Sequence, residues 1–326
     1  MKGERLKIKN YFIKEQKVSK GLLAFEWVAF GYMAFTLLMI AILWTRLQQP
    51  ETLLLGRLLF VIITLAVCVL YRLLPCRLTL FARIAAQMIF LSWWYPDTFE
   101  LNRVLPNLDH VFASWEQSLF GCQPALLFAQ KAPWTWFSEL MCMGYVSYFA
   151  LMVLVILYYF LFRFKEFGMA SFVLFGAFFT YYVIFVLLPV TGPQFYYPAV
   201  GTENIAAGIF PPVGDWFLTH SEKMATPGWT DGLFYHILEL THNAGERPTA
   251  AFPSSHVGIT TVLFLLACHS RSRLLIYTIL PFYVLMCLAT VYIHAHYAID
   301  VIAGFVSGLL FYFILLKTHR HFHVQR

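Results

Sequence analysis

The residues best suited to chemistry in this sequence lie in two short segments of its last third. The later segment, "TVYIHAHYAID" (Thr290 to Asp300), places His296 and Asp300 four positions apart where a helix is predicted to begin. Side chains at this spacing share one helix face, so the carboxylate can accept from one ring nitrogen while the other nitrogen faces a substrate. The pattern predicts a nucleophile with its orienting acid.

The earlier segment, "TAAFPSSHVGITTV", places His256 at the start of a hydrophobic run. Pro253 suits the first turn of a helix, and the hydroxyls of Ser254 and Ser255 can cap that helix or donate hydrogen bonds. Free amides, hydroxyls and an imidazole at a helix N-terminus suit an anion such as phosphate. If His296 attacks phosphorus, His256 can protonate the departing alcohol as a general acid.

Each of these residues also has a purely structural interpretation. Alone, His296 could be an interfacial histidine, and Asp300 a carboxylate favoured by the helix macrodipole. An ionisable pair that enters a membrane span favours a functional role. His294 lies on a different helical face from His296 and is interpreted as interfacial. Glu139 either contacts a head group or the Arg247 loop, or has a role in helix capping near Ser138.

The elements that must hold these residues are membrane helices. Hydrophobic residues make up 60% of the chain, aromatic residues 18% and charged residues only 12%, which is typical of a polytopic helical membrane protein. Apolar runs of about 17–25 residues match a hydrocarbon core about 30 Å thick. The predicted fold class is therefore an all-α polytopic membrane bundle. About eight transmembrane helices are expected, near 22–45, 53–75, 79–96, 136–162, 167–190, 255–270, 273–294 and 297–317.

The distribution of Lys and Arg predicts the orientation of these spans. The leader "MKGERLKIKNYFIKEQKVSK" is basic and lacks a small-residue cleavage site, so it is expected to precede a retained span. With an even number of spans, both termini lie on the cytoplasmic side of a plasma or inner membrane. The long loops 97–135 and 191–254 and the candidate site then lie on the outer face. This orientation leaves five basic residues outside, namely Arg46, Arg103, Lys131, Lys223 and Arg247.

Charge and cysteine usage exclude other classes. The net charge of +6 does not indicate a nucleic-acid partner, because the basic residues sit at the ends of spans and not in one patch. The six cysteines show no paired spacing, so a disulfide framework is not predicted. Within the spans, Gly304 and Gly308 predict close helix packing, and Arg83 is expected to reach the membrane surface by snorkelling.

The two segments together resemble a known pair of motifs. "FPSSH" followed about forty residues later by "HYAID" is similar to the second and third motifs of the type-2 phosphatidic acid phosphatase superfamily. The resemblance implies that His296 becomes phosphorylated, with Asp300 as its partner and His256 as the general acid. It also implies that Ser254 and Ser255 donate to the phosphate, and that no metal or other cofactor is needed.

The resemblance covers roughly residues 79–317 and divides the chain in two. It implies a six-helix catalytic core within 79–326. Residues 1–78 would then form a basic cytoplasmic leader and two accessory transmembrane helices.

The residues before His296 indicate a branch of this superfamily. The phosphatase branch usually has Ser-Arg shortly before the histidine, whereas this chain has Ala289 and Thr290. A threonine and a tyrosine before the histidine, here Thr290 and Tyr292, make the segment similar to the inositol phosphorylceramide synthase branch.

The first motif of the superfamily is incomplete in this chain. Arg247 is followed by Pro248 but lies unusually close to "FPSSH", and Gln194 stands where an arginine is common. Phosphoryl transfer needs cations or oriented donors on the phosphate oxygens. Arg247 and Gln194 are therefore predicted to bind the phosphate, against the alternative that Arg247 is a solvated loop charge.

The sequence thus predicts an integral membrane enzyme that cleaves a lipid phosphoester through a phosphohistidine. Its expected partners are the bilayer, a phospholipid or lipid phosphate substrate, and a lipid-alcohol acceptor, as in the inositol phosphorylceramide synthesis of sphingolipid metabolism. The alternative is a phosphatase for phosphatidate or isoprenyl diphosphate. A transporter with a His/Asp relay would instead need polar residues near the membrane midplane. A zinc site built from His256, His294, His296 and Asp300 is disfavoured, because two ligands two residues apart on a helix diverge.

Overall fold

The chain is helical throughout the part that the structure describes. This computed structural model describes residues 11–14 and 21–324. Within those residues there is no β-strand, so the predicted all-α class is confirmed. The helices are α1 (Ala24–Leu43), α2 (Pro50–Leu73), α3 (Arg77–Asn102), α4 (Asp109–Phe120), α5 (Pro124–Lys131), α6 (Thr135–Phe162), α7 (Phe164–Leu187), α8 (Pro193–Val200), α9 (Thr202–Ala206), α10 (Leu233–Gly245), α11 (Ser255–Ser270), α12 (Arg273–Tyr292) and α13 (Ala298–Val324).

Six of the predicted spans are confirmed as helices long and apolar enough to cross a membrane: α1, α2, α6, α7, α12 and most of α13. The other two predicted spans are also helices, but they differ in character. Helix α3 carries the polar side chains of Arg83, Gln87 and Asp97. Helix α11 has only 16 residues, and its length of about 24 Å at 1.5 Å per residue is less than the thickness of a hydrocarbon core.

Helix α7 forms the centre of the bundle, and α1, α3, α6, α11 and α13 pack around it. Helix α13 approaches α11 closely at two glycines. A Cβ atom on Gly304 would collide with the carbonyl oxygen of Ser254, and one on Gly308 would collide with that of Gly258. The prediction of close packing at both glycines is confirmed. This packing brings the starts of α11 and α13 together.

Two buried ion pairs attach the first two helices to α3. Glu26 of α1 pairs with Arg83, and both side chains are fully buried. Arg57 of α2 pairs with Asp97 at 2.5 Å. The expectation that Arg83 snorkels is wrong, because its guanidinium lies inside the bundle, where it donates to Glu26 and to the carbonyl oxygen of Gly21 at 3.1 Å. Since each buried charge has a partner, α1 and α2 are integral parts of the bundle.

Short helices cover the end of the bundle at which α11 and α13 begin. Helices α4 and α5 belong to the predicted loop 97–135, and α8, α9 and α10 belong to the loop 191–254. The carboxylate of Glu139 on α6 accepts from the amides of Phe234 at 3.0 Å and Tyr235 at 2.9 Å. Glu139 therefore caps α10, and not its own helix near Ser138, and fixes α10 over the start of α6.

Candidate active site

His296 lies in the short segment between α12 and α13. Its Nδ1 donates to the carbonyl oxygen of Ala251 at 2.8 Å, and Oδ2 of Asp300 is 3.5 Å from the same nitrogen. His296 precedes α13, because the positive φ of 67° at His294 takes the chain off the helical path. His296 and Asp300 therefore meet, but not on a shared helix face as their spacing suggested. The closer acceptor is a backbone carbonyl.

The contact with Ala251 fixes the tautomer of His296. A carbonyl oxygen can only accept, so Nδ1 carries the proton and Nε2 of the neutral ring has a free lone pair. Burial lowers the pKa of His296 to about 4, and the ring is therefore neutral at pH 7. His296 can act as a nucleophile through Nε2.

His256 is the second residue of α11 and faces His296. Its Nδ1 is 3.4 Å from Nε2 of His296. Since that Nε2 is the acceptor, Nδ1 of His256 is the donor. The ring of His256 packs on Tyr145 and Tyr148 of α6, with 4.6 Å between ring centroids in each pair. The proton donor of His256 and the lone pair of His296 are therefore close together, as phosphoryl transfer through a histidine requires.

Ser254 links the starts of α11 and α13. Its Oγ accepts from the amide of Val257 at 3.4 Å and caps α11, while its own amide donates to the carbonyl oxygen of Asp300 at 3.0 Å. Because α11 begins at Ser255, Pro253 lies before the helix and not in its first turn as expected. Ser254 is fully buried, whereas Ser255 lines a cavity together with His256.

The two side-chain oxygens of Asp300 differ in their hydrogen bonds. Oδ2 accepts from the amide of Tyr297 at 2.9 Å. Oδ1 is buried and has no partner among the described residues. The carboxylate thus stabilises the start of α13 and remains close to Nδ1 of His296.

Two carboxylates that the sequence analysis missed hold the segment around His296. Asp109 of α4 accepts from the amide of Thr191 at 2.7 Å and from the hydroxyl of Tyr297 at 3.0 Å. Glu116 accepts from the amide of Ile299 at 3.2 Å. Burial raises the pKa of Asp109, and it raises the pKa of Glu116 to about 8. These partners are 82 to 188 positions away in the chain, so no local spacing could have indicated them.

The two predicted phosphate-binding side chains occupy different environments. Gln194 is 4% exposed, and its Nε2 donates to Oε1 of Glu246 at 2.7 Å. The backbone amide of Gln194 donates to the carbonyl oxygen of His294 at 2.9 Å. Arg247 is exposed, and its guanidinium donates to the carbonyl oxygen of Glu246 at 3.2 Å. Gln194 therefore lies beside the site with its donor engaged, whereas Arg247 faces solvent just after α10.

The residues that precede the nucleophile have structural contacts. Thr290 donates to the carbonyl oxygen of Met286 at 3.1 Å, and the hydroxyl of Tyr292 donates to that of Ala132 at 3.0 Å. His294 is only 5% exposed, and burial lowers its pKa to about 4. The interfacial interpretation of His294 is wrong, because the start of α8 packs against this segment.

A cavity of about 410 Å³ opens beside His256. The polar part of its wall includes Ser255, His256, His242 and Glu246. The apolar part comes from α3, α6 and α7 and includes Met88, Leu91, Phe149, Met152, Val153 and Phe178. A cavity of this size can bury a small ligand. Its mixed lining suits an amphiphile with an anionic head and an apolar chain.

Across residues 11–14 and 21–324, no group of three or more His, Cys, Asp or Glu side chains is arranged to hold a metal ion.

Comparison with known proteins adds a family to this geometry. The model of the PAP2 superfamily matches residues 110–314. The match begins in α4 and ends in α13, so it includes His256, His296 and Asp300 and leaves out α1, α2 and α3. No curated protein matches the chain. No solved structure matches it either.

Proposed function

Since this chain belongs to the PAP2 superfamily and is therefore a lipid phosphatase or phosphotransferase, we propose that it cleaves a lipid phosphoester through a phosphohistidine at His296. One observation carries the proposal: the free Nε2 of His296 faces Nδ1 of His256 at 3.4 Å. Both residues lie at one end of the bundle and not midway along its helices, which does not suit a transporter relay.

In the first step, Nε2 of His296 attacks phosphorus. An N–P bond forms, the P–O bond to the leaving alcohol breaks, and the departing oxygen takes the Nδ1 proton of His256, which must enter the step as the imidazolium and leaves it as the neutral ring. His296 then carries positive charge. The Ala251 carbonyl at 2.8 Å and the Asp300 carboxylate at 3.5 Å stabilise that charge through Nδ1–H.

In the second step, an acceptor hydroxyl gives its proton to His256 while its oxygen attacks phosphorus and the N–P bond breaks. Water as acceptor yields free phosphate from a monoester donor or the phosphorylated head group from a diester donor, and a lipid alcohol yields a new phosphoester. A phosphoryl group cannot fit between nitrogens 3.4 Å apart, so substrate binding must separate the two rings.

We propose that the preferred acceptor is a lipid alcohol, as in inositol phosphorylceramide synthesis. His296 is only 3% exposed, which restricts the access of water to a phosphohistidine. The apolar part of the cavity wall comes from membrane helices, which suits the chain of an acceptor such as ceramide. The resemblance of the segment before His296 to the synthase branch supports the same assignment.

Analysis of products distinguishes transfer from hydrolysis. Purified protein in lipid nanodiscs would receive a phospholipid with a labelled head-group phosphate, with or without added ceramide. We expect labelled acceptor lipid to form faster than water-soluble labelled phosphate, because the positioned acceptor outcompetes water. Steady release of phosphate from phosphatidate or isoprenyl diphosphate, with no labelled acceptor, would instead establish the phosphatase alternative. The His296→Ala protein controls for contaminating activity.

We further propose that the site faces away from the cytoplasm. Basic residues are concentrated at the opposite end of the bundle, where α2, α6 and α11 end and α3, α7 and α12 begin, which is typical of cytoplasmic loops. They are Arg72, Arg77, Arg163, Lys165, Arg271 and Arg273. Lys317 and Arg320, near the end of α13, lie at the same end.

Labelling of single cysteines tests this orientation. In a parent whose own cysteines are replaced by serine, Thr202→Cys and Asp231→Cys place a thiol at exposed positions on the site end of the molecule. We expect both to react with an impermeant thiol reagent added to intact cells. Lys165→Cys, exposed at the other end, is the matched control and should react only after the cells are opened. The reverse pattern would place the site in the cytoplasm.

A further inference from the structure

A third histidine lies near the catalytic pair, outside both sequence motifs. His242 belongs to α10, is 3% exposed and lines the same cavity as His256. The ring of Tyr145 contacts both histidines, with its centroid 5.8 Å from that of His242 and 4.6 Å from that of His256. His242 is thus part of the wall from which a substrate would meet His256.

Lys223 determines which nitrogen of His242 carries the proton. Nζ of Lys223 is 3.0 Å from Nδ1 of His242. An ammonium group can only donate, so Nδ1 accepts and the ring proton is on Nε2. Burial and the charge of Lys223 lower the pKa of His242 to about 4, and the ring is therefore neutral at pH 7. Its Nε2 is buried and has no hydrogen-bond partner among the described residues.

The carboxylates nearby are already engaged. Glu239 accepts from Lys223 at 3.4 Å and from Thr226 at 2.5 Å, and its Oε1 is 3.8 Å from Nδ1 of His242. Glu246 accepts from Gln194 at 2.7 Å. Both acidic groups are therefore tied to other donors, and neither is hydrogen-bonded to Nε2 of His242. An anion could reach that N–H group.

The segment that carries Lys223 is attached to the catalytic site. The amide of Met224 donates to the carbonyl oxygen of Gln194 at 2.7 Å, and the amide of Gln194 donates to the carbonyl oxygen of His294 at 2.9 Å. Lys223 is thus held, through two backbone hydrogen bonds, to the segment that contains His296.

We propose that His242 donates its Nε2–H to an oxygen of the substrate phosphate, and that Lys223 is a positioning residue that fixes this tautomer. The inference rests on the proposed function and extends it to the anionic head of the lipid, a phosphate monoester or diester. An unpartnered buried donor is costly, and a phosphate oxygen satisfies it. The positive charge of Lys223, immediately behind the ring, adds to the attraction.

Binding of inorganic phosphate and orthovanadate tests the proposal without turnover. Calorimetric titration of the full chain in nanodiscs would compare wild type with His242→Phe, which keeps a ring but lacks the donor. We expect the dissociation constants for both anions to rise about 10- to 100-fold, as loss of a hydrogen bond to a charged group predicts. His242→Gln, which retains an N–H donor, should recover much of the affinity. Lys223→Gln should weaken binding as well.

His236→Phe is the matched control, because His236 lies on the same helix with an exposed side chain. It should bind both anions as wild type does. Wild-type affinity in His242→Phe, or an equal loss in His236→Phe, would overturn the proposal. If His242→Phe does not fold, wild-type affinity in Lys223→Gln overturns it instead. If the wild type turns over no lipid phosphate but His242→Phe still loses anion affinity, the proposed function fails and the anion site stands.

Discussion

Replacement of His296 by alanine is expected to remove turnover of every lipid phosphoester that the wild-type protein cleaves, a loss on the order of 10⁴-fold or more. The reason is that, in the proposed mechanism, the lone pair of Nε2 is the attacking group. Neither Ser254, which caps α11, nor His256, whose Nδ1 is the donor of the pair, can replace it. Initial rates with a lipid phosphate in mixed micelles measure the effect.

His294→Ala provides the control for this variant. His294 is two residues earlier and almost as buried as His296, so its removal disturbs the same segment without removing the proposed nucleophile. We expect this variant to retain the reaction, with a reduced melting temperature because a cavity is left. Activity of the His296→Ala protein within tenfold of wild type would eliminate His296 as the nucleophile.

Replacement of His256 by glutamine is expected to slow cleavage by about 10²- to 10⁴-fold for esters of ordinary alcohols. A poor leaving group needs a proton as its bond to phosphorus breaks, and Nδ1 of His256, 3.4 Å from Nε2 of His296, is placed to supply it. An acidic leaving group needs no such help. The measurement is a series of phosphate esters whose alcohols decrease in pKa, assayed with wild type and variant.

The dependence on the leaving group separates catalysis from binding. We expect the rate of His256→Gln to approach that of wild type as the leaving alcohol becomes more acidic. Tyr148→Phe is a suitable control, because it keeps the ring that packs on His256 and removes only a hydroxyl. An equal loss for all esters in His256→Gln would mean that His256 serves to bind the substrate and not to protonate its product.

The helices of the fold could largely be predicted from the sequence. An apolar run long enough to span a bilayer must make its backbone hydrogen bonds within itself, and a helix does so. Helix α3 shows the limit of that reasoning. Arg83 of this helix is expected to snorkel, because a charge on an isolated span can reach water only at the membrane surface. The partner that keeps Arg83 buried is Glu26, which is 57 positions earlier in the chain, and only the folded bundle brings the two together.

The two histidines of the site could be predicted from the sequence, but the hydrogen bonds that orient them could not. Two short motifs indicated His256 and His296, and the structure places their ring nitrogens 3.4 Å apart. The acceptor that sets the tautomer of His296 is the backbone carbonyl of Ala251, and a carbonyl group has no signature in sequence. His242 and Lys223 were missed because they are 19 positions apart on separate elements and follow no recognised spacing.

The most direct test of the phosphohistidine is its isolation. Wild-type protein would be mixed for milliseconds to seconds with a lipid substrate carrying ³²P at the reactive phosphate, and the reaction would be stopped in alkali, in which phosphohistidine survives. We expect label on the protein that acid releases, and peptide mass spectrometry should place it on His296. The label should be absent from His296→Ala. Product formation without labelled protein, or label on a residue other than His296, would contradict the mechanism.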